Sequence, residues 1–140
     1  MKLLDTMWRR HSNSWSVWTR LISTPVAFVP FWNRSWKQGA AVAAWFAVNP
    51  FLFPEPEDTE AWGPRAIRGE RRWAKKRPRD VALVVQSAGT VAFIGGFVAA
   101  YRRRPVLVAV CSAGVVATNA WFLDHMAKTY GAEPDETSTE

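Results

Sequence analysis

The sequence predicts an all-α integral membrane bundle: about four transmembrane helices and one amphipathic helix at the cytoplasmic interface. Three observations carry that expectation. Val81–Tyr101, VALVVQSAGTVAFIGGFVAAY, contains no charged residue and has charges on both flanks. As a helix it would be about 31 Å long at about 1.5 Å per residue, matching a bilayer core about 30 Å thick. Residues 105–123, PVLVAVCSAGVVATNAWFL, are likewise uncharged. The chain also carries 9 tryptophans, most of them beside a charge or near the end of an apolar segment. Indole, with its broad apolar body and single N–H donor, favours the membrane–water boundary.

Two weaker segments precede these. Residues 15–32 hold Arg20, Pro25 and Pro30. They either cross the membrane with Arg20 snorkelling or lie partly in the interface, and the second choice leaves three spans. Residues 39–53 are short for a span, and Asn49-Pro50 is expected to break or kink them. Between spans two and three, the acidic stretch 54–60 leads into a basic helix over about 62–77. Trp62, Ala66, Gly69 and Trp73 fall on one face of that helix. This suits a helix lying on the headgroups with its tryptophans inward, or simply a positive loop that sets topology. Pro105 suits the first turn of the fourth span. Small residues recur every four positions at Ala88, Ala92, Gly96 and Ala100 and at Ala109, Ala113 and Ala117. That spacing lets helices approach closely in lipid, either as a hairpin of spans three and four or between copies of the chain. Residues 1–130 thus read as one membrane domain and 131–140 as a disordered acidic tail. A soluble bundle is the remaining alternative, disfavoured by the uncharged length of 81–101.

The formal net charge of +6 over 140 residues would point to nucleic acid in a soluble protein. Here the cations alternate with apolar segments, so anionic headgroups are the expected partner and nucleic acid is not. With four spans, the N-terminus, the middle loop and the C-terminus share one side. That side has Lys2, Arg9, Arg10, Lys128 and eight basic residues between 54 and 80, against five at Arg34, Lys37 and 102–104. The excess places both termini in the cytoplasm of a multi-pass plasma-membrane protein. Cys111 is the only cysteine, so no internal disulfide forms. No apolar N-terminal core marks a cleaved signal peptide.

In this arrangement the polar groups gather at the cytoplasmic face, where each is costly in hydrocarbon and counts as a site candidate. Arg10, Asn13, Arg20, Asn49, Arg68 and Arg71 are the binding candidates. Asp124, Glu70 and His11 are the acid/base candidates. Arg20 with Asp124 is the favoured pairing, as part of a site or as a helix-packing ion pair. No metal-ligand spacing, phosphate loop or nucleophile motif is present, so no metal or cofactor is expected. A non-enzymatic lipid- or partner-binding membrane component is favoured over an enzyme acting on a lipid or headgroup. The partner could be another membrane protein or a second copy of the chain.

RHSNSWSVWTR, NPFLFPEPEDTEAW, RGERRW and WFLDHMAKTY, in that order, resemble an uncharacterised family of small multi-span membrane proteins of haloarchaea and bacteria, one that carries a domain-of-unknown-function label. The chain departs from its pattern at Ser14, where proline is expected, and at His125, where arginine is expected. The resemblance implies several helical spans and no established activity.

Overall fold

A computed structural model describes residues 2–76 and 78–132, without the side chains of residues 2–5 and 8. Arg77 and most of the acidic tail (133–140) lie outside the described residues. The architecture is all-helical. Helix α1, Lys2–His11, falls outside every segment expected from the sequence. Asn13 then caps α2, Ser14–Ser23, by accepting from the Trp15 amide at 2.9 Å. The next residues do not break. They tighten into a 3₁₀ turn, Thr24–Phe28, and reopen as α3, Val29–Asn33. Pro25 and Pro30 each sit in the first turn of their piece, where a missing N–H costs nothing. Their combined helical path is about 32 Å, taking about 1.5 and 2.0 Å per residue for the two helix types.

Helix α4, Trp36–Leu52, is capped by Ser35 and runs through Pro50 to end two residues later, so of the expected break or kink at Asn49-Pro50 the break does not occur at the proline itself. Helix α5 is Trp62–Lys76 and α6 is Val81–Tyr101. Helix α7 is Pro105–Thr129, about a turn and a half longer than the predicted span. Helices α6 and α7 form the most extensive packing in the molecule, with α5 on α7 next. Of the small residues of α6, Ala88 is exposed, and Gly96 admits the 3₁₀ turn rather than α7. Phe28 lies directly over Gly96, inside the volume a Cβ would need, and Gly96 and Ala100 are buried. The Phe28 ring also contacts Phe93 and Phe97 at 5.6 and 5.2 Å. The Ala109, Ala113 and Ala117 stripe of α7 behaves otherwise: it faces outward, and α7 meets α6 through neighbouring positions such as Val115 and Thr118.

Two tight turns share one end of the bundle. Arg34 and Arg103 adopt left-handed conformations, φ 52° and 54°, closing the α3–α4 and α6–α7 connections. The Arg34 guanidinium sits 4.8 Å over the Tyr101 ring, which holds the two turns together. The other end gathers α1, the middle loop and the tail of α7. Asn13 Nδ2 donates to the Pro54 carbonyl at 3.1 Å, and Arg65 Nη2 donates to that of Ala127 at 3.1 Å. Asp80 caps α6 and also accepts from Trp73 Nε1 at 3.1 Å and from the Tyr130 hydroxyl at 3.0 Å. One carboxylate thus fastens α5, α6 and the end of α7.

Helix α5 corrects a second expectation. Its tryptophan face is turned inward, but onto protein rather than lipid. Trp62 stacks on Trp18 at 5.2 Å, Trp73 meets Phe122 edge-on at 5.2 Å, and Ala66, Ile67 and Gly69 are buried. What faces outward on α6 and α7 is apolar. Fewer than a fifth of the residues in their most hydrophobic windows are buried, and Val91 and Val106 are 70% and 73% exposed. Both helices are long and apolar enough to cross a membrane.

Candidate functional site

A cavity of about 240 Å³ opens near the end of the bundle that holds the termini, bounded by six of the seven α-helices among the described residues and by the 3₁₀ turn. His11 comes from the last turn of α1, and Arg20 from α2. Glu70 comes from α5, Gln86 from α6 and Asn119 from α7. Leu21, Phe46, Phe122 and Leu123 supply apolar wall. Each polar side chain reaches the chamber for a local reason. On α5 the inward stripe is Gly63, Ala66, Ile67, Glu70 and Trp73, at the three- and four-residue steps of a helix face. Glu70 therefore occupies a position where the pattern calls for an apolar residue. Gln86 is the single amide in the uncharged run of α6 and lies less than two turns from its Asp80 cap.

Arg20 Nε donates to the Ser16 carbonyl at 3.4 Å. Its terminal nitrogens donate to no group among the described residues. The Asn119 amide donates to the Val115 carbonyl at 2.9 Å, and Thr24 Oγ1 to that of Arg20 at 2.8 Å. The Glu70 carboxylate and the Gln86 amide make no hydrogen bond among the described residues. A half-buried carboxylate without protein donors is partly desolvated, and that disfavours its charge. Burial accordingly raises the Glu70 pKa above its ordinary value, against the opposing pull of the Arg20 charge. His11 moves the other way. Burial first, and the Arg20 charge second, lower its pKa from 6.5 to about 4, so the imidazole is neutral near pH 7.

The favoured sequence pairing is not formed. Lys128 Nζ donates to Asp124 Oδ2 at 2.6 Å along the α7 surface, and the carboxylate facing Arg20 is Glu70. Depth alone cannot distinguish Asp124 from Glu70. The lysine four residues on from Asp124 takes that group out of the interior. His125 stacks on Trp121 at 4.8 Å.

Most of the remaining sequence candidates hold the fold at this end of the bundle. Asn49 is fully buried; it accepts from Ser16 Oγ at 2.9 Å and donates to Thr19 Oγ1 at 3.0 Å. Arg10 donates to the Phe51 carbonyl at 3.4 Å. Asn13 bridges α2 to Pro54. Arg68 pairs with Glu60 at 3.0 Å, and Arg71 is exposed on the outer face of α5. Of the nine sequence candidates, Arg20, His11 and Glu70 line the chamber. Gln86 was missed; its signal was a lone amide inside a hydrophobic span. No group of three or more metal-ligating side chains lies together among the described residues.

No curated protein and no solved structure matches the chain. The model of a family of unknown function (DUF6653) matches residues 2–139, and the chain belongs to that family.

Proposed function

We propose that this chain is a four-span plasma-membrane protein with cytoplasmic termini, and that its chamber binds the headgroup of an anionic lipid without transforming it. The carrying observation is the convergence of Arg20, His11, Glu70, Gln86 and Asn119 on one cavity at the bundle end where the basic residues are concentrated. A polar chamber with one arginine whose terminal nitrogens meet no acceptor among the described residues suits an anionic guest. Four spans are supported by the paired turns at Arg34 and Arg103, by the length of the α2–α3 path, and by the outward apolar faces of α6 and α7, which in water would be an aggregating surface. Trp15 and Trp36, 72% and 78% exposed, lie toward opposite ends of the bundle, as boundary tryptophans do. Outward Lys75, Lys76 and Arg79 on the α5 side add attraction to an anionic leaflet.

Native mass spectrometry of detergent-purified protein tests the binding role. Co-purifying anionic lipid should fall at least tenfold in Arg20→Ala and persist in Arg71→Ala. Equal retention in the two variants would refute it. Reporter fusions at both ends should read as cytoplasmic; an external C-terminus refutes the orientation.

A second reading, a membrane enzyme acting on a lipid or headgroup, draws on one further fact. A carboxylate with raised pKa and an imidazole with lowered pKa share the chamber with Arg20, and groups pushed in opposite directions are how acid/base pairs are made. Labelled anionic lipid incubated with wild type and with Glu70→Gln separates the readings. Turnover lost in the variant supports the enzyme, and unchanged lipid in both supports binding alone.

A further inference from the structure

We infer that the chamber captures one phosphodiester monoanion on Arg20 and takes up one proton from solvent onto Glu70 as it does so. This rests on the ligand-binding reading above and adds its charge chemistry. With Glu70 ionised, the chamber holds one positive and one negative group and is neutral overall. An anion entering alone would leave a net negative charge in a partly desolvated space, with Glu70 facing it across the same cavity. A proton from solvent on Glu70 restores neutrality and turns a repelling acceptor into a hydrogen-bond donor toward the guest.

The neighbours leave Glu70 as the proton's destination. Helix α1 contributes His11, which burial first and the Arg20 charge second already disfavour as a cation. Helix α2 contributes Arg20 itself. Phe46 of α4, Gln86 of α6 and Asn119 of α7 do not titrate. On α7, Asp124 is tied to Lys128 outside the chamber. The guanidinium fork fits two oxygens of a phosphodiester. The Gln86 amide, which makes no hydrogen bond among the described residues, adds a donor.

A phosphodiester of this kind could come from a lipid headgroup or from a free soluble ester, and two probes separate these sources. Dimethyl phosphate carries the group alone, and dioctanoyl phosphatidylglycerol carries it with acyl chains. Both stay monoanionic between pH 4 and 9, so any proton taken up belongs to the protein. Calorimetric titration of the full chain in detergent, repeated in buffers of different ionisation enthalpy, counts protons per ligand without any variant. Uptake should approach one per ligand at pH 8 and decline in acid. Affinity should fall about tenfold per pH unit on the alkaline side. Glu70→Gln should bind with no uptake and a flat profile, and His11→Gln should retain the uptake.

Binding without proton uptake, or uptake lost in His11→Gln and kept in Glu70→Gln, overturns the inference and leaves the binding role standing. Binding of neither probe at any pH overturns both. Tighter binding of the acyl-chain probe supports the inference with a lipid as the source, and equal binding of the two supports it with a free ester.

Discussion

Replacing Gly69 by alanine tests how α5 is held. In an isolated or lipid-facing helix, Gly→Ala at an interior position stabilises by about 1 kcal/mol through helix propensity. In the docked arrangement the sign reverses. A Cβ at Gly69 would overlap the Met126 carbonyl oxygen, and would lie 2.8 Å from that carbonyl's carbon and 3.2 Å from the Gly131 amide nitrogen. Ordinary carbon contacts are about 3.5–4.0 Å, and all three neighbours are backbone atoms that cannot rotate away. Helix α5 must retreat from α7 by most of an ångström, which also loosens Ile67 and Trp73. Overpacking of this kind costs about 1–3 kcal/mol. With backbone as the obstacle the upper part of that range applies, so the net effect is a loss of about 1–2 kcal/mol, or roughly 3–8 °C in melting midpoint. Thermal unfolding in detergent, with amide exchange followed across residues 62–76, reads both effects. Ala74→Gly on the exposed face should cost about 1 kcal/mol without faster exchange at the α5–α7 contact. A Gly69→Ala protein that melts at or above wild type would show that α5 does not dock on α7.

Asn49→Ala should cost about 1–3 kcal/mol, because it strands the fully buried Ser16 hydroxyl. Adding Ser16→Ala should recover part of that loss in a double-mutant cycle of melting midpoints. Asp80→Ala, which removes the cap of α6 and the acceptor for Trp73 and Tyr130, should lower stability by about 1–2 kcal/mol and release Trp73, seen as a change in tryptophan emission. His11 is favoured neutral by the fold, so its contribution is present above pH 6.5 and lost as pH falls from 6.5 toward about 4. That interval corresponds to about 3 kcal/mol, reduced to about 1–2 kcal/mol by the side chain's partial contact with solvent; melts at pH 7 and 4.5 should show the loss in wild type and not in His11→Gln. Glu70 has the opposite sign: its contribution is greatest below its ordinary value of 4.5 and is lost as pH rises through the raised one, so Glu70→Gln should gain most in stability over wild type at alkaline pH.

The elements legible in the sequence are those whose cause is local. An uncharged run long enough to match a bilayer sets α6, and its continuation past Arg104 sets α7, because transfer of apolar side chains is nearly additive along a segment. The basic segment was legible as a helix, and its inward stripe was legible in part. The same locality explains the errors. Pro50 forbids one backbone hydrogen bond, yet near the end of α4 this does not stop the helix, and the path through Pro25 and Pro30 survives by tightening to 3₁₀ geometry. Sequence also could not say what the tryptophan face of α5 meets. Lipid and a neighbouring helix are both apolar, and the packed structure distinguishes them through contacts such as Trp62 on Trp18 and the backbone approach at Gly69.

Sequence by itself determined the helical class, the two longest apolar helices, the asymmetry of basic charge, and that Arg20, His11 and Glu70 deserved testing. Only the tertiary structure decided that Glu70 and not Asp124 faces Arg20, that Gln86 joins them, and that Asn49 is spent on Ser16 and Thr19. The reason is physical. Hydrophobic length and charge are sums over neighbours in the chain, whereas a chamber is a coincidence of side-chain directions on separate helices, from residue 11 to residue 123, fixed by how those helices pack.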